Sequence, residues 1–312
     1  MMDIAEYCLI GALIVAGVAL LINIGAVTSK KRALDRAEAR EPQLVGTDGA
    51  PVVEASPRDD YADYGAQPVP GIHEKRAHNL GWYGTAFTIM SLLLLTAYIG
   101  IRMSITGHGP FSNQHEFAVA FAWGILLAYV VFEWLYKLRA LSLAVLPVTI
   151  GMMLYAMNLD ATVNPLVPAL QNSVMLTLHV GFAVLAYGTA CVSFAAAVLW
   201  LVRPRITSKR FPSQDTFDDI GYRAAALTFP LLTIMIVLGA IWADTAWGRY
   251  WGWDPKETAA FVTWLTYGGY LHARVVRDWR GKKAAWLLII GFATVLFAYF
   301  GNHFFGGLHS YG

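Results

Sequence analysis

Long apolar runs alternate with short polar connectors along most of this chain. Eight such runs fall at roughly 6–27, 81–103, 116–136, 140–158, 174–202, 224–243, 257–273 and 284–301. A bilayer-crossing helix needs about 20 mostly apolar residues. The runs approach that length, and 257–273 is the shortest. The pattern predicts an all-α, polytopic membrane helix bundle with about eight transmembrane helices. The first run does not read as a cleaved signal peptide. Asp3 and Glu6 come at its start, the basic residues follow it, and its apolar stretch is long.

The polar connectors carry a second pattern. Lys30, Lys31, Arg32, Arg36 and Arg40 follow the first run, and Lys137 and Arg139 fill the turn after the third. Arg203, Arg205, Lys209, Arg210 and Arg223 lie between the fifth and sixth. Arg274, Arg277, Arg280, Lys282 and Lys283 precede the last. The intervening connectors are poor in basic residues, and 159–173 has none. Basic loops stay on the cytoplasmic side, which predicts that both termini are extracytoplasmic. Residues 1–27 then form a first transmembrane helix and 81–312 a larger transmembrane domain. Between them, 28–80 is the only long hydrophilic stretch, rich in Pro, Gly, Asp and Ala. Its start can extend the first helix, while the rest has too few large aliphatics to offset its ordering entropy. The expectation is a disordered cytoplasmic linker.

Composition agrees. Of the 312 residues, 57% are apolar and only 14% charged, with a mean hydropathy of +0.49. Soluble domains carry roughly 25% charged residues. A net charge of +2 is too small to suggest a nucleic-acid partner. Cys8 and Cys191 both sit in apolar runs, and the chain has neither CxxC nor CxxCH. They read as buried thiols rather than a disulfide or metal site.

The unusual residues collect on the predicted outer side. The stretch 242–257 places Trp242, Trp247, Tyr250, Trp251 and Trp253 close together with Gly248 and Gly252. Trp and Tyr favour any membrane interface, but an aromatic belt needs neither this density nor the glycines. The composition favours a platform for a planar apolar ligand. His179, near the outer start of the fifth run, and His309, in the outer tail, share that face. Two imidazoles about a flat aromatic platform suit the axial positions of a haem iron, although either alone reads more readily as a packed or interfacial residue. His272 falls near the inner end of the seventh run, about 20 Å from Glu257 at 1.5 Å per residue. It is either an interfacial residue beside Arg274 or a deeper ligand. His303, His108 and His115 are also on the outer side, and His303 competes with His309 as the tail ligand. His73 and His78 read as surface residues. Glu116 is placed to pair with Arg102 or Arg249, and Glu133 with Lys137 at i+4.

Two rival functions are weaker. A secondary transporter wants carboxylates or broken helices at the midplane, whereas the carboxylates here lie near the span ends. A b-type haem electron-transfer protein wants facing histidine pairs at matched depths, and His272 has no evident partner.

The run Trp247-Gly248-Arg249-Tyr250-Trp251-Gly252-Trp253-Asp254-Pro255-Lys256-Glu257-Thr258 resembles the WWD signature of haem-handling proteins. That group includes the CcsA/ResC proteins of System II cytochrome c biogenesis and the CcmC and CcmF proteins of System I. DPKET followed by TWLTYGGYLHAR, the tail GGLHSY, LHVGFAVLAYG and PFSNQHEF resemble CcsA/ResC, over roughly residues 81–312. The resemblance implies cytochrome c maturation in the plasma membrane. On it, haem b, held non-covalently, is moved outward and presented to the CxxCH of an apocytochrome c within a haem lyase complex. It implies that His179 and His309 are axial ligands, that His272 is an intramembrane ligand, and that Trp242, Trp247, Trp251, Trp253 and Asp254 contact the haem. Asp254, Lys256 and Glu257 are then candidates for holding propionates or the incoming peptide. The implied partners are a CcsB/ResB-like membrane protein, apocytochrome c and thiol-reducing thioredoxin-like proteins. Two positions depart from the family: Ala259, where Trp is common, and His115, where Tyr is common.

Overall fold

The computed structural model describes residues 2–38, 72–163, 166, 168–171, 173–206 and 211–301. Among these the chain is helical, with no strand. The long helices are α1 (Met2–Glu38), α2 (Ile72–Thr106), α3 (Gln114–Tyr136), α4 (Ser142–Met157), α5 (Ser173–Val202), α6 (Gln214–Trp247), α7 (Pro255–Val276) and α8 (Lys282–Phe300). Each of the eight apolar runs therefore lies within one of these helices, to within two residues at either end. Seven of the helices are long and apolar enough to cross a membrane, and α7 is not among them. At 22 residues it would still span about 33 Å. Its threonines, its tyrosines, His272 and Arg274 lower its apolarity. The chain is a multi-pass membrane protein. The hydrophilic segment 28–80 is helical at both ends, through Glu38 and from Ile72, and 39–71 lies outside the described residues.

Small residues set how closely the helices approach. On α1, Ala5, Leu9, Ala12, Ala16 and Ala19 form a buried stripe at helical spacing, while Ile10, Ile14 and Leu21 face outward. Ser91 of α2 donates to the Ala12 carbonyl at 2.8 Å. In the centre, α3 and α5 cross with backbones in contact. A Cβ at Gly188 would sit 2.3 Å from the Gly124 carbonyl oxygen, so glycine is required there. Cys191 is buried and Cys8 half-buried, and both are free thiols.

Of the two expected carboxylate pairings, one forms and one changes on folding. Glu116 pairs with Arg102 at 2.7 Å, both almost fully buried. The i+4 pairing of Glu133 with Lys137 does not form. Lys137 adopts the left-handed conformation (φ 55°) that terminates α3, and its ammonium lies 5.8 Å over the Trp134 ring. Glu133 instead meets Arg139 at 3.3 Å and accepts from Thr85 and Tyr129, tying α2, α3 and the following turn. His115 is also buried in the frame. Its Nδ1 donates to the Ala156 carbonyl at 2.8 Å, so Nε2 accepts from the Tyr98 hydroxyl. Both ring nitrogens thereby join α2, α3 and α4. His108 is half-buried, with Nδ1 on the Gly109 carbonyl at 2.8 Å.

Candidate functional site

A cavity of about 430 Å³ opens where α3 and α5 begin and α6 ends. Pockets for drug-sized ligands run about 300–1,000 Å³. Its wall includes His179, Trp242, Trp247, Trp251, Lys256 and Tyr299. Helices α3, α5, α6, α7 and α8 all contribute, so residues far apart in sequence meet here.

His179 is held on three sides. Its Nδ1 lies 2.8 Å from the Met235 carbonyl oxygen. A carbonyl only accepts, so Nδ1 carries the proton and Nε2 is the lone-pair nitrogen. A metal-binding imidazole is arranged in the same way, with its second nitrogen fixed by a hydrogen bond. The Trp242 indole lies nearly parallel to the ring, at 14° with centroids 6.2 Å apart. On α6, Gly239 leaves room for the imidazole, since a Cβ there would come within 2.7 Å of His179 Cε1.

The Trp-rich loop is built by its helix ends. Gly248, at φ 71°, caps α6 with its N–H on the Asp244 carbonyl. Asp254 caps α7, accepting from the Lys256 N–H at 2.9 Å, and Glu257 completes the reciprocal box. Glu257 Oε2 also accepts from the Gly252 N–H at 2.8 Å, which folds the loop back onto α7. Trp242 and Trp247 meet edge-to-face at 4.8 Å, and both line the cavity with Trp251. Trp253 takes a left-handed conformation (φ 56°). Its side chain is 67% exposed and outside the cavity wall. Asp254 is likewise outside the wall, its carboxylate used as the helix cap. Lys256 lies in the wall with its ammonium 5.1 Å over the Phe117 ring. Burial there pushes its pKa below the ordinary lysine value, against the pull of Asp254.

Of the other expected histidines, one is placed by the structure and two are not among the described residues. His272 is exposed on α7, outside the cavity. His309 and His303 lie outside the described residues. Sequence reasoning missed the Met235 carbonyl, Gly239 and Tyr299, since nothing in the pattern pairs α6 or α8 positions with His179. One imidazole with a fixed tautomer, flat aromatic walls and a cation suit a planar, mostly apolar ligand that carries a metal.

Residues 111–309, more than half of the chain, match the family of cytochrome c assembly proteins. The chain belongs to that family. Within the cytochrome c assembly proteins it is of the CcsA type. It is 34% identical over 270 residues to the cytochrome c biogenesis protein CcsA of Guillardia theta, covering 78% of this chain and 89% of the relative. It is 35% identical over 258 residues to CcsA of Prochlorococcus marinus, covering 72% and 83%. Among solved structures, the cytochrome c haem lyase CcmF superposes with a TM-score of 0.60 at 17% identity. That match covers 96% of this chain but only 46% of CcmF, so the chain spans less than half of that protein's length, and the likeness is one of fold. The function of this cytochrome c assembly protein lies in cytochrome c maturation. His179 and the whole Trp-rich loop fall inside the family-matched stretch.

The glycine beside the ligand candidate yields a direct expectation. Gly239→Ala gains up to about 1 kcal/mol of helix propensity, while the Cβ collision at His179 costs about 1–3 kcal/mol. Overall thermal stability should therefore shift little or fall slightly, while holocytochrome formation drops about tenfold, the scale for disturbing the surroundings of a ligating imidazole. Gly181→Ala, on α5 where a Cβ meets nothing within 4 Å, should leave both unchanged. Equal behaviour of the two variants would remove Gly239 from the site.

Proposed function

We propose that this chain is the haem-holding subunit of a cytochrome c synthase complex. It receives haem b within the membrane, holds it non-covalently as a substrate in the Trp-lined cavity, and presents it to apocytochrome c on the outer face. The observation that carries the reading is His179, fixed by the Met235 carbonyl with Nε2 as its lone-pair nitrogen, in a cavity walled by Trp242, Trp247 and Trp251. His309 supplies the second axial ligand from the tail. The basic loops set the orientation, with both termini outside the plasma membrane.

In this mechanism the chain binds, orients and shields. Paired imidazoles keep other ligands off the iron, and the indole walls keep water from the porphyrin face. The apocytochrome's own histidine displaces one imidazole. Each of its two cysteine thiols then adds across one vinyl group: sulfur bonds to one carbon and the thiol hydrogen ends on the other, with no net oxidation. Thioredoxin-like proteins keep those thiols reduced. The addition chemistry belongs to haem and substrate, and the protein's share is positioning.

His272 is exposed on α7, outside the cavity, so it acts at a separate uptake site with a ligand from another protein. A CcsB/ResB-like membrane protein is that partner. Purification with and without the partner tests this. The wild-type complex should carry haem as isolated, the His272→Ala complex should carry little, and the isolated chain should carry little with either residue at 272. Full haem loading of the isolated wild-type chain would make the uptake site self-contained and refute the shared one.

A further inference from the structure

Two residues of the cavity wall each carry a buried polar atom with no hydrogen-bond partner among the described residues: the indole Nε1 of Trp251 and the hydroxyl of Tyr299. Folded interiors satisfy nearly all such groups, so two orphans in one wall point to a ligand that pairs with them. The Lys256 ammonium lies over the ring of Phe117 at 5.1 Å. The Tyr299 ring packs against Phe121 at 5.4 Å. Phe117 and Phe121 are one turn apart on α3, about 6 Å along its axis. Cation and hydroxyl therefore line one side of the cavity at neighbouring levels. Trp251 enters from the loop before α7, its ring edge-on to Phe261 at 6.3 Å.

The chemistry narrows the ligand group. An indole N–H only donates, an ammonium only donates, and a neutral phenol donates readily. The Glu257 carboxylate in the same wall is already engaged, with Oε2 on the Gly252 and Asp254 N–H groups. A set of donors with one positive charge calls for anionic oxygens.

We propose that Trp251 Nε1 and the Tyr299 hydroxyl, together with Lys256, bind the carboxylates at one edge of the ligand. Resting on the haem reading above, these are the two propionates. The arrangement sets which edge of the porphyrin lies against these three donors, and so directs the opposite edge, with the vinyl groups, away from them. Tyr299 and Trp251 are positioning residues here. His179 holds the metal, and these donors fix the rotation of the ring about it.

The test compares haem with its dimethyl ester, in which both carboxylates are masked, by titration of the purified full chain followed by absorbance. The wild type should bind haem about tenfold or more tighter than the ester, the scale of hydrogen bonds to a charged group. Tyr299→Phe keeps the ring on Phe121 and removes one oxygen. It should weaken haem about tenfold and leave ester binding unchanged, and Trp251→Phe should narrow the preference in the same direction. Unchanged ester affinity also reports an intact fold. Equal wild-type affinity for the two porphyrins, or equal weakening of both by Tyr299→Phe, would overturn the proposal while leaving the haem reading in place. Binding of neither porphyrin by the wild-type chain would overturn both.

Discussion

His179→Gly should abolish holocytochrome c formation, and millimolar imidazole should partly restore it. Among the described residues no other histidine lines the cavity. Loss of an outer-shell partner of a metal ligand costs about 10–100-fold, and loss of the ligand itself should exceed that. Glycine at 179 leaves a space bounded by Trp242, Gly239 and the Met235 carbonyl. Free imidazole fits that space and finds the same carbonyl as hydrogen-bond acceptor. The measurement is haem-stained cytochrome c in a host lacking its own assembly system, with and without imidazole. Wild-type levels in the uncomplemented mutant would exclude His179 as a ligand.

Glu116→Gln should destabilise the bundle by about 3–5 kcal/mol, the scale for leaving one member of a buried ion pair uncompensated. Arg102 and Glu116 are 2% and 1% exposed and 2.7 Å apart. Glu116 Oε2 also accepts from the Ser112 N–H and hydroxyl, and Arg102 Nη2 donates to the Ala161 carbonyl at 2.9 Å. The pair thus ties the end of α2, the start of α3 and the loop after α4, next to cavity residues Ser112, Asn113 and Gln114. The single mutant should accumulate poorly and unfold at lower temperature. The double mutant Arg102→Met/Glu116→Leu should recover much of the loss, because removing both charges removes the desolvation cost with them. A double mutant no more stable than Glu116→Gln would show that the hydrogen bonds, rather than the charge, carry the effect.

The elements were legible where the signal is local. A span is a contiguous apolar run, so its helix can be read from length alone, as for α3 and α8. The Trp-rich loop is likewise contiguous, and its capping residues lie three apart. The weakest stretch, 257–273, became α7, a helix less apolar than its neighbours. Particular partners were less legible. Glu133 lies four residues from Lys137, but the chain turns left-handed at 137 and places Arg139 on the carboxylate instead. Trp253 belongs to the motif, yet it has a positive φ and stands outside the wall that Trp251 lines. His115 stood out as an unassigned imidazole, and both its nitrogens are spent on Tyr98 and Ala156.

The division follows the range of the interactions. By itself the sequence determined the helical membrane class, the basic-loop alternation, the loop 242–257 and the candidacy of His179, because each is written in neighbouring residues. Only the tertiary structure decided which nitrogen of His179 holds the proton, since the deciding carbonyl is Met235, on another helix. Likewise, only packing brought Tyr299 of α8 and Trp251 of the loop into one wall with unpaired donors. Contacts between residues far apart in the chain depend on helix crossings such as the Gly124–Gly188 approach. Those crossings arise from the joint packing of several helices, which no single stretch of sequence encodes.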